Sequence, residues 1–293
     1  RPPVCGIIQS MITLLSPDQL PAARPLFDAM AGHHLILPSI LAGLTPARVW
    51  VDNPDQPSAA AAVVHNKVYL LGSSRKADFN AALGELLTGQ VFPKLKQDGV
   101  GIALVFPSHA GWVDLYPALF GNTFARIYPD AQRQVYAFDA GSNTLTDWRG
   151  LLPEGFTLRP VDARLLADDR WSSIEYLREE TQSERVSIAD FLEHSFGVCL
   201  THGLDLVAWC LSEYNCGERC EVGIATVEAY QRRGFGTVAG AAFVEEALRR
   251  GYRSIGWHCW TRNLPSAALA RRIGYTQRAE ETLAFCVFPE VDA

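Results

Sequence analysis

Along the second half of the chain, short apolar, β-branched runs alternate with stretches whose apolar positions recur at helical spacing. "GFTLRPVD" predicts a strand, and helical segments follow near 163 to 180 and 186 to 195. "FGVCLTHG" and "DLVAWCLSEY" meet across Gly203 and Asp205, which predicts an antiparallel hairpin, and "RCEVGIAT" predicts a third strand. "TVAGAAFVEEALRRG" reads as a helix with Arg249 and Arg250 in its last turn and Gly251 as its stop. "SIGWHCW" then alternates as a strand, "PSAALARRIG" predicts a short helix closed by Gly274, and "ETLAFCVF" predicts a last strand. Strands with helices interposed on this scale indicate an α/β domain.

The first half echoes that order. "ARVWVDN" and "AAAAVVHNKVYLLG" read as a hairpin, "ADFNAALGELL" as a helix, "GVGIALVF" as a strand, "WVDLYPALFG" as a helix and "RQVYAFD" as a final strand. The repeated order suggests a degenerate duplication, with domains at 11–145 and 155–293. Between them, "DAGSNTLTDWRGLLPEG" has the Gly, Ser, Asn and Pro density of a linker. A chain of 293 residues suits two domains and has ample material for a packed core.

Composition narrows the partners. Hydrophobic content of 48% and charged content of 20% suit a globular protein in water. A net charge of -6 and a pI near 5.7 argue against gripping a phosphate backbone, so no nucleic-acid partner is expected. No apolar run approaches the roughly 18 residues of a membrane span, so no membrane partner is expected either. The opening "RPPVCGIIQS" lacks the apolar centre and cleavage site of a secretory signal and reads as a vector remnant or an upstream extension. Seven cysteines, an odd number scattered along the chain, suit a reducing cytoplasm. Cys216 and Cys220 flank "GER", with His194, Cys199 and His202 upstream, but a zinc site normally repeats tight CxxC pairs. Buried thiols beside a turn are the simpler reading, and no metal is expected.

The chemistry concentrates in "GIATVEAYQRRGFGT", residues 223–237, between a strand and a helix start. Backbone N–H groups at a helix start lack intrahelical partners and sit at the positive end of the helix dipole, a geometry that attracts phosphate. Gly234 and Gly236 would let the backbone curve around a diphosphate, Arg232 and Arg233 would add cationic donors, Phe235 would pack beneath the loop, and Thr237 would cap or donate. An ordinary strand-to-helix turn would use the same glycines. A Walker loop is excluded because no Lys-Ser/Thr follows Gly236, and the dinucleotide fingerprint because Gly240 falls one place late after a meander of strands.

"Q-x-x-G-x-G" after an antiparallel strand, followed by "WHCWTRNLPSAALARRIGYTQ", resembles the two cofactor motifs of the GNAT superfamily of N-acetyltransferases, in particular a subgroup with a two-half architecture. The resemblance covers residues 155–288 well and the first half by architecture alone. It implies an α/β GNAT fold, a mixed, mostly antiparallel sheet with flanking helices, preceded by a degenerate GNAT-like domain. It further implies acetyl-CoA as co-substrate, with the pantetheine arm of coenzyme A laid along Ala225, Thr226 and Val227 like an added strand. One of those N–H groups, assigned to Val227, would polarise the thioester carbonyl. The amides from Arg232 through Arg233, Gly234, Phe235 and Gly236 to Thr237 would hold the diphosphate, and Asn263 and Ser266 would fix the pantetheine unless Asn263 is simply a helix cap.

Direct transfer to an amine needs a base. Glu221 and Glu213 on adjacent strands are the leading carboxylates, with Glu228 and His258 as further candidates, though strand-end charges are commonly solvated. Many GNAT enzymes carry a tyrosine as acid where this chain has Ala270, and Tyr275 would take a packing role. Trp209, Tyr214, Trp257 and Trp260 could line an acceptor pocket shaped by the first half, or serve as core. The implied activity is acyl transfer to a small-molecule or peptide amine in the cytoplasm, with homodimer formation left open. A non-catalytic acyl-CoA sensor or scaffold, and transfer to a protein or aminoacyl-linked acceptor, stand as alternatives.

Overall fold

The computed structural model describes residues 11–289, so the opening stretch 1–10 lies outside the described residues. The chain forms two compact units, one of residues up to Gln132 together with those from Glu281 onward, the other Arg133–Glu280.

In the first unit β1 (Thr13–Leu14), β2 (Arg48–Val51), β3 (Ala59–Val64), β4 (Lys67–Gly72) and β5 (Ile102–Pro107) follow in sheet order. All neighbours are antiparallel except β4 and β5, whose parallel pairing spans α3 (Ala77–Leu86) and α4 (Phe92–Gln97). α1 (Arg24–Ala31) and α2 (Ile36–Leu41) precede β2, and α5 (Tyr116–Phe120) follows β5. The core gathers Trp50, Leu70, Phe79, Phe92, Trp112 and Phe120. "WVDLYPALFG" is helical only from Tyr116, since residues 110–115 wind as a tighter 3-10 turn and Pro117 stands at the start of α5.

The second unit begins within β6 (Arg126–Asp139) and continues through β7 (Phe156–Pro160), α6 (Ala163–Leu166), α7 (Ile174–Gln182), α8 (Ile188–His194), β8 (Gly197–His202), β9 (Asp205–Cys216) and β10 (Arg219–Thr226). It closes with α9 (Phe235–Arg249), β11 (Ser254–Trp260), α10 (Leu264–Ile273) and β12 (Thr276–Val287), which leaves the unit at Glu280. Its sheet order is β6, β11, β10, β9, β8, β7. β11 alternates strictly: Ile255, Trp257 and Cys259 are buried in the core with α9 and α10, while Gly256, His258 and Trp260 face the other way. The opposite face packs on α6–α8 through Leu177, Phe191, Trp209 and Leu211. The helical stretch expected near 163–180 is two helices, α6 ending at Leu166 and α7 opening after Ser173, which adopts a left-handed φ of 59°.

The units are divided elsewhere than at the glycine-rich stretch, for two reasons. Residues 133–139, which follow the first unit's last helix, pair with β11, whereas residues 284–287, which follow α10, pair with β5. Each half's final strand thus completes the other's sheet. The stretch expected to be a linker is also packed, since Trp148 joins the second unit's core and its Nε1 donates to Glu245 (3.1 Å). Among the described residues no helix is long and apolar enough to cross a membrane.

Candidate active site

β10 has two unlike edges. It pairs with β9 from Arg219↔Cys216 to Thr226↔Ala208, but its parallel pairing with β11 runs only from Arg219↔Ser254 to Glu221↔Gly256. Past Glu221 the two strands part. The register shifts there, with Tyr214 opposite Glu221 and Ser212 opposite Val222, so Glu213 is the extra residue of a β-bulge in β9. Such a bulge bends the ladder and re-aims a side chain. The Glu213 carboxylate lies over Gly223, where an ideal Cβ would stand 2.3 Å from Oε1.

Which amides face the open edge follows from alternation. Val227 N–H donates to Val207 O at 3.0 Å, and in an antiparallel ladder successive residues point alternately to the partner and away. Gly223 and Ala225 therefore face β9 as well, while Ile224 and Thr226 present their N–H and C=O groups to the opening. Consistently, Thr226 O accepts from Gln231 Nε2 at 3.1 Å from outside the sheet. The expected trio of Ala225, Thr226 and Val227 thus reduces to Thr226, and Ile224 joins it. Val227 cannot polarise a carbonyl with an N–H already committed to β9. Sequence alternation shows which face a side chain takes but not which edge its amide takes, and that is why Ile224 was missed.

The loop beyond β10 is pinned at several points. Tyr230 N–H donates to Val227 O (2.8 Å), and Tyr230 OH donates to Asp205 Oδ2 (2.7 Å). That hydrogen bond pushes the Tyr230 phenol up and holds the Asp205 carboxyl below its usual range. The backbone curls at Arg232 (φ 60°) and Gly234 (φ 86°), as in main-chain anion nests. Gly234 is the N-cap of α9 and no side chain caps that end. The N–H groups of Gly234, Phe235 and Gly236 precede the first intrahelical bond, which makes the helix start an anion-binding geometry.

Arg232 and Arg233 are exposed, and the Arg233 guanidinium lies 5.0 Å from the Phe235 ring centroid. Phe235 is buried against Phe156 at 4.6 Å, the packing role expected for its side chain. One expectation changes. Thr237 is buried and its N–H donates to Gly234 O (2.9 Å), which removes it from the donors. Gly236 also faces α10, where a Cβ would meet Leu269 Cδ2 at 3.1 Å, so helix packing favours a glycine there as well.

Asn263 caps α10, accepting from Ser266 N–H at 3.2 Å, and Ser266 Oγ accepts from Trp257 Nε1 at 3.1 Å. Both side chains stand where β11 ends, already oriented by protein partners. Ala270 is fully buried, and Tyr275 packs on Trp257 (5.4 Å) and Phe138 (5.9 Å). Trp209, Tyr214 and Trp257 are core, and Trp260 is half-buried with Arg133 at 5.7 Å over its ring.

Among the candidate bases, Glu221 is buried with its Oε1 3.7 Å from His258 Nε2, and its Cγ fills the space a Cβ on Gly256 would need. Glu228 is exposed on a 3-10 turn. The connection from α7 to α8 also contributes groups that sequence reasoning missed. Tyr214 OH donates to Glu184 Oε2, and the buried Arg185 donates to Ser195 Oγ (2.8 Å), with burial lowering its basicity. A Ser-x-x-Asp capping signal at Ser187 and Asp190 marks that connection, but nothing in it indicates a turn over the sheet.

The first unit has no comparable opening among its described residues. β4 and β5 pair from Lys67↔Leu104 to Leu70↔Pro107, and Ser108 N–H extends the ladder to Leu70 O at 2.8 Å. Gly72 O at the end of β4 accepts from Trp112 Nε1 (3.1 Å), with His109 Nε2 2.8 Å away.

A strand edge opened by a bulge, leading into an uncapped helix start, defines a protein that can hold an extended ligand arm ending in an anion. The family model described as GNAT acetyltransferase matches residues 24–283, and the chain belongs to that family. It is 26% identical over 132 residues to the uncharacterized N-acetyltransferase YdfB of Bacillus subtilis, a match covering 45% of this chain and 49% of that protein. The chain thus spans about half the length of the curated relative it matches. Among solved structures it resembles a GCN5-related N-acetyltransferase-like protein from Streptococcus suis, at 19% identity and TM-score 0.62 over 92% of this chain and 98% of the other. It also resembles a tandem GNAT protein from the clavulanic acid biosynthesis pathway, at 11% identity and TM-score 0.58 over 96% and 99%. At those identities the likeness speaks for the fold.

Proposed function

We propose that the chain is an acyl-CoA-dependent N-acyltransferase that takes acetyl-CoA as donor and a small-molecule or peptide amine as acceptor. The observation that carries this reading is the open edge of β10 at Ile224 and Thr226, continuous in sequence with the uncapped start of α9. An arm of amides ending in a diphosphate matches both features. The donor supplies an acyl group activated as a thioester. Ile224 N–H would donate to the acyl carbonyl oxygen and stabilise the negative charge that builds there. Thr226 would align the arm, and Gly234, Phe235 and Gly236 with the two arginines would hold the diphosphate.

Glu213 is the base this geometry favours, because its carboxylate sits against Gly223, one residue before Ile224. In the balanced reaction a C–N bond forms and the C–S bond breaks. Of the two protons the ammonium sheds, one passes through Glu213 to solvent and the other ends on the CoA thiolate. A thiolate leaves without an acid because its conjugate thiol has a pKa of roughly 8.5, so Ala270 in place of a tyrosine does not forbid turnover. Buried thiols at Cys199, Cys210, Cys220 and Cys286 suit a reducing cytoplasm.

Ala270 is also the observation that favours a second reading, an acyl-CoA sensor without turnover. Incubation with acetyl-CoA and a panel of amines separates the two. Free thiol released only when amine is present supports the enzyme, whereas tight binding without release across the panel supports the sensor.

A further inference from the structure

The turn between β8 and β9 is joined to the loop beyond β10 through a carboxylate. Gly203 opens the turn with a left-handed φ of 59°, and His202 and Asp205 pair directly across it. Both Asp205 oxygens are used: Oδ1 accepts from Ser172 Oγ (2.9 Å) and Oδ2 from Tyr230 OH (2.7 Å). Ser172 N–H also donates to Leu204 O at 2.9 Å, so the turn is itself fixed.

Tyr230 ends the 3-10 turn that precedes the loop. Its ring centroid lies 5.4 Å from the Arg233 guanidinium carbon, and the Phe235 centroid lies 5.0 Å from the same atom. Phe235 rests on Phe156 of β7 (4.6 Å), and Phe156 stacks on His202 (4.6 Å). Both aromatic supports of Arg233 thus lead back to the β8–β9 turn. The guanidinium has no carboxylate within ion-pair distance among the described residues, so intramolecular charge does not explain why it is held there. An unsupported arginine samples many rotamers, and ordering it when a ligand arrives weakens binding; one laid across two fixed rings is ordered when the chain folds.

From this we infer that Asp205 is a positioning residue for the donor: through Tyr230 it keeps the Arg233 guanidinium in place for a diphosphate. The inference rests on the acyl-CoA reading above for the molecule that carries the diphosphate, and Asp205 takes no part in the chemical step. Charge alone predicts the opposite sign. A carboxylate near a site for a polyanion repels it, so removing Asp205 would tighten binding if Coulomb repulsion decided the outcome. Loss of the tether should weaken binding instead.

The test is calorimetric titration of the full chain with CoA and with inorganic pyrophosphate. Asp205→Ala and Tyr230→Phe should each weaken both about tenfold, the scale of one charge-assisted contact, with melting temperatures close to wild type. Tyr230→Phe keeps the ring and carries the test should Asp205→Ala fail to fold. In an Arg233→Ala background Tyr230→Phe should change affinity by less than about twofold, whereas a merely structural role would weaken binding in both backgrounds. In turnover with a fixed amine, Tyr230→Phe should raise KM for acetyl-CoA and leave kcat within about twofold. Unchanged or tighter binding in Asp205→Ala, an equal loss with and without Arg233, or a wild type that binds neither ligand would overturn the inference. The two readings fail separately. Pyrophosphate binding that depends on Asp205, without thiol release from acetyl-CoA, would sink the enzyme but keep the tether, and thiol release with an unchanged KM in Asp205→Ala and Tyr230→Phe would do the reverse.

Discussion

The bulge at Glu213 can be probed through its neighbour, with Gly223→Ala. A Cβ on residue 223 would stand 2.3 Å from Glu213 Oε1 and 3.2 Å from Cδ, against ordinary contact near 3.4 Å, so the carboxylate must retreat by about 1 Å. The fold should tolerate this. The displaced atoms are the far end of a flexible side chain, residue 223 does not have a left-handed φ, and alanine restricts the unfolded chain by roughly 0.4–1 kcal/mol in the stabilising direction. Catalysis should not. A displacement of about 1 Å in a reacting group costs on the order of 100-fold, or about 2.7 kcal/mol of transition-state stabilisation. Thiol release from acetyl-CoA should therefore slow about 100-fold, with the melting temperature and CoA affinity by calorimetry close to wild type. Glu213→Gln should be at least as slow, and the double variant no slower than Glu213→Gln alone, because both changes remove one function. An unchanged kcat in Gly223→Ala would refute the assignment of Glu213. Slower turnover in Glu221→Gln than in Glu213→Gln would move the base to the Glu221–His258 pair.

Other perturbations read other parts of the account. Gly234→Val forces a β-branched residue into φ 86°, so it should cost roughly 1–2 kcal/mol of stability and weaken CoA binding about tenfold or more in a fluorescence titration; normal affinity would remove the loop from the site. Gly274→Ala combines φ 124° with a Cβ 2.2 Å from Thr144 O, a backbone atom that cannot swing aside, so chemical denaturation should show a loss of more than about 2 kcal/mol with no specific effect on CoA. Burial holds Cys199 and Cys286 up at about 12 and raises Cys210 and Cys220 as well, so these thiols stay protonated at pH 8. Alkylation of the folded protein followed by peptide mass mapping should therefore label Cys216 well ahead of them, and rapid labelling of Cys210 would contradict the packing.

Much of the second unit was legible because its signals are local. Strict alternation in "SIGWHCW", the turn at Gly203 and the helix stops at Gly251 and Gly274 each depend on a few neighbouring residues, and each is where it was expected. The strand exchange was not legible, because "RQVYAFD" and "ETLAFCVF" look the same whichever sheet they complete. "DAGSNTLTDWRGLLPEG" shows how composition misleads: its turn residues are real, but Leu145, Trp148 and Leu152 supply enough apolar surface to pack. The loop after β10 stood out through its glycines and arginines, and the structure adds a packing contact at Gly236 that one sequence does not show. The edge amides and the α7–α8 carboxylates depend on register and on tertiary contact, which one sequence does not contain.

The central claim is that the edge of β10 beyond Glu221 is where coenzyme A lies. A crystal structure of the chain with CoA tests it most directly. The account predicts main-chain hydrogen bonds from the pantetheine arm to Ile224 and Thr226, with the diphosphate at the N–H groups of residues 234–236. CoA bound elsewhere, or an arm that bypasses β10 while Val227 N–H leaves Val207 to meet it, would contradict it.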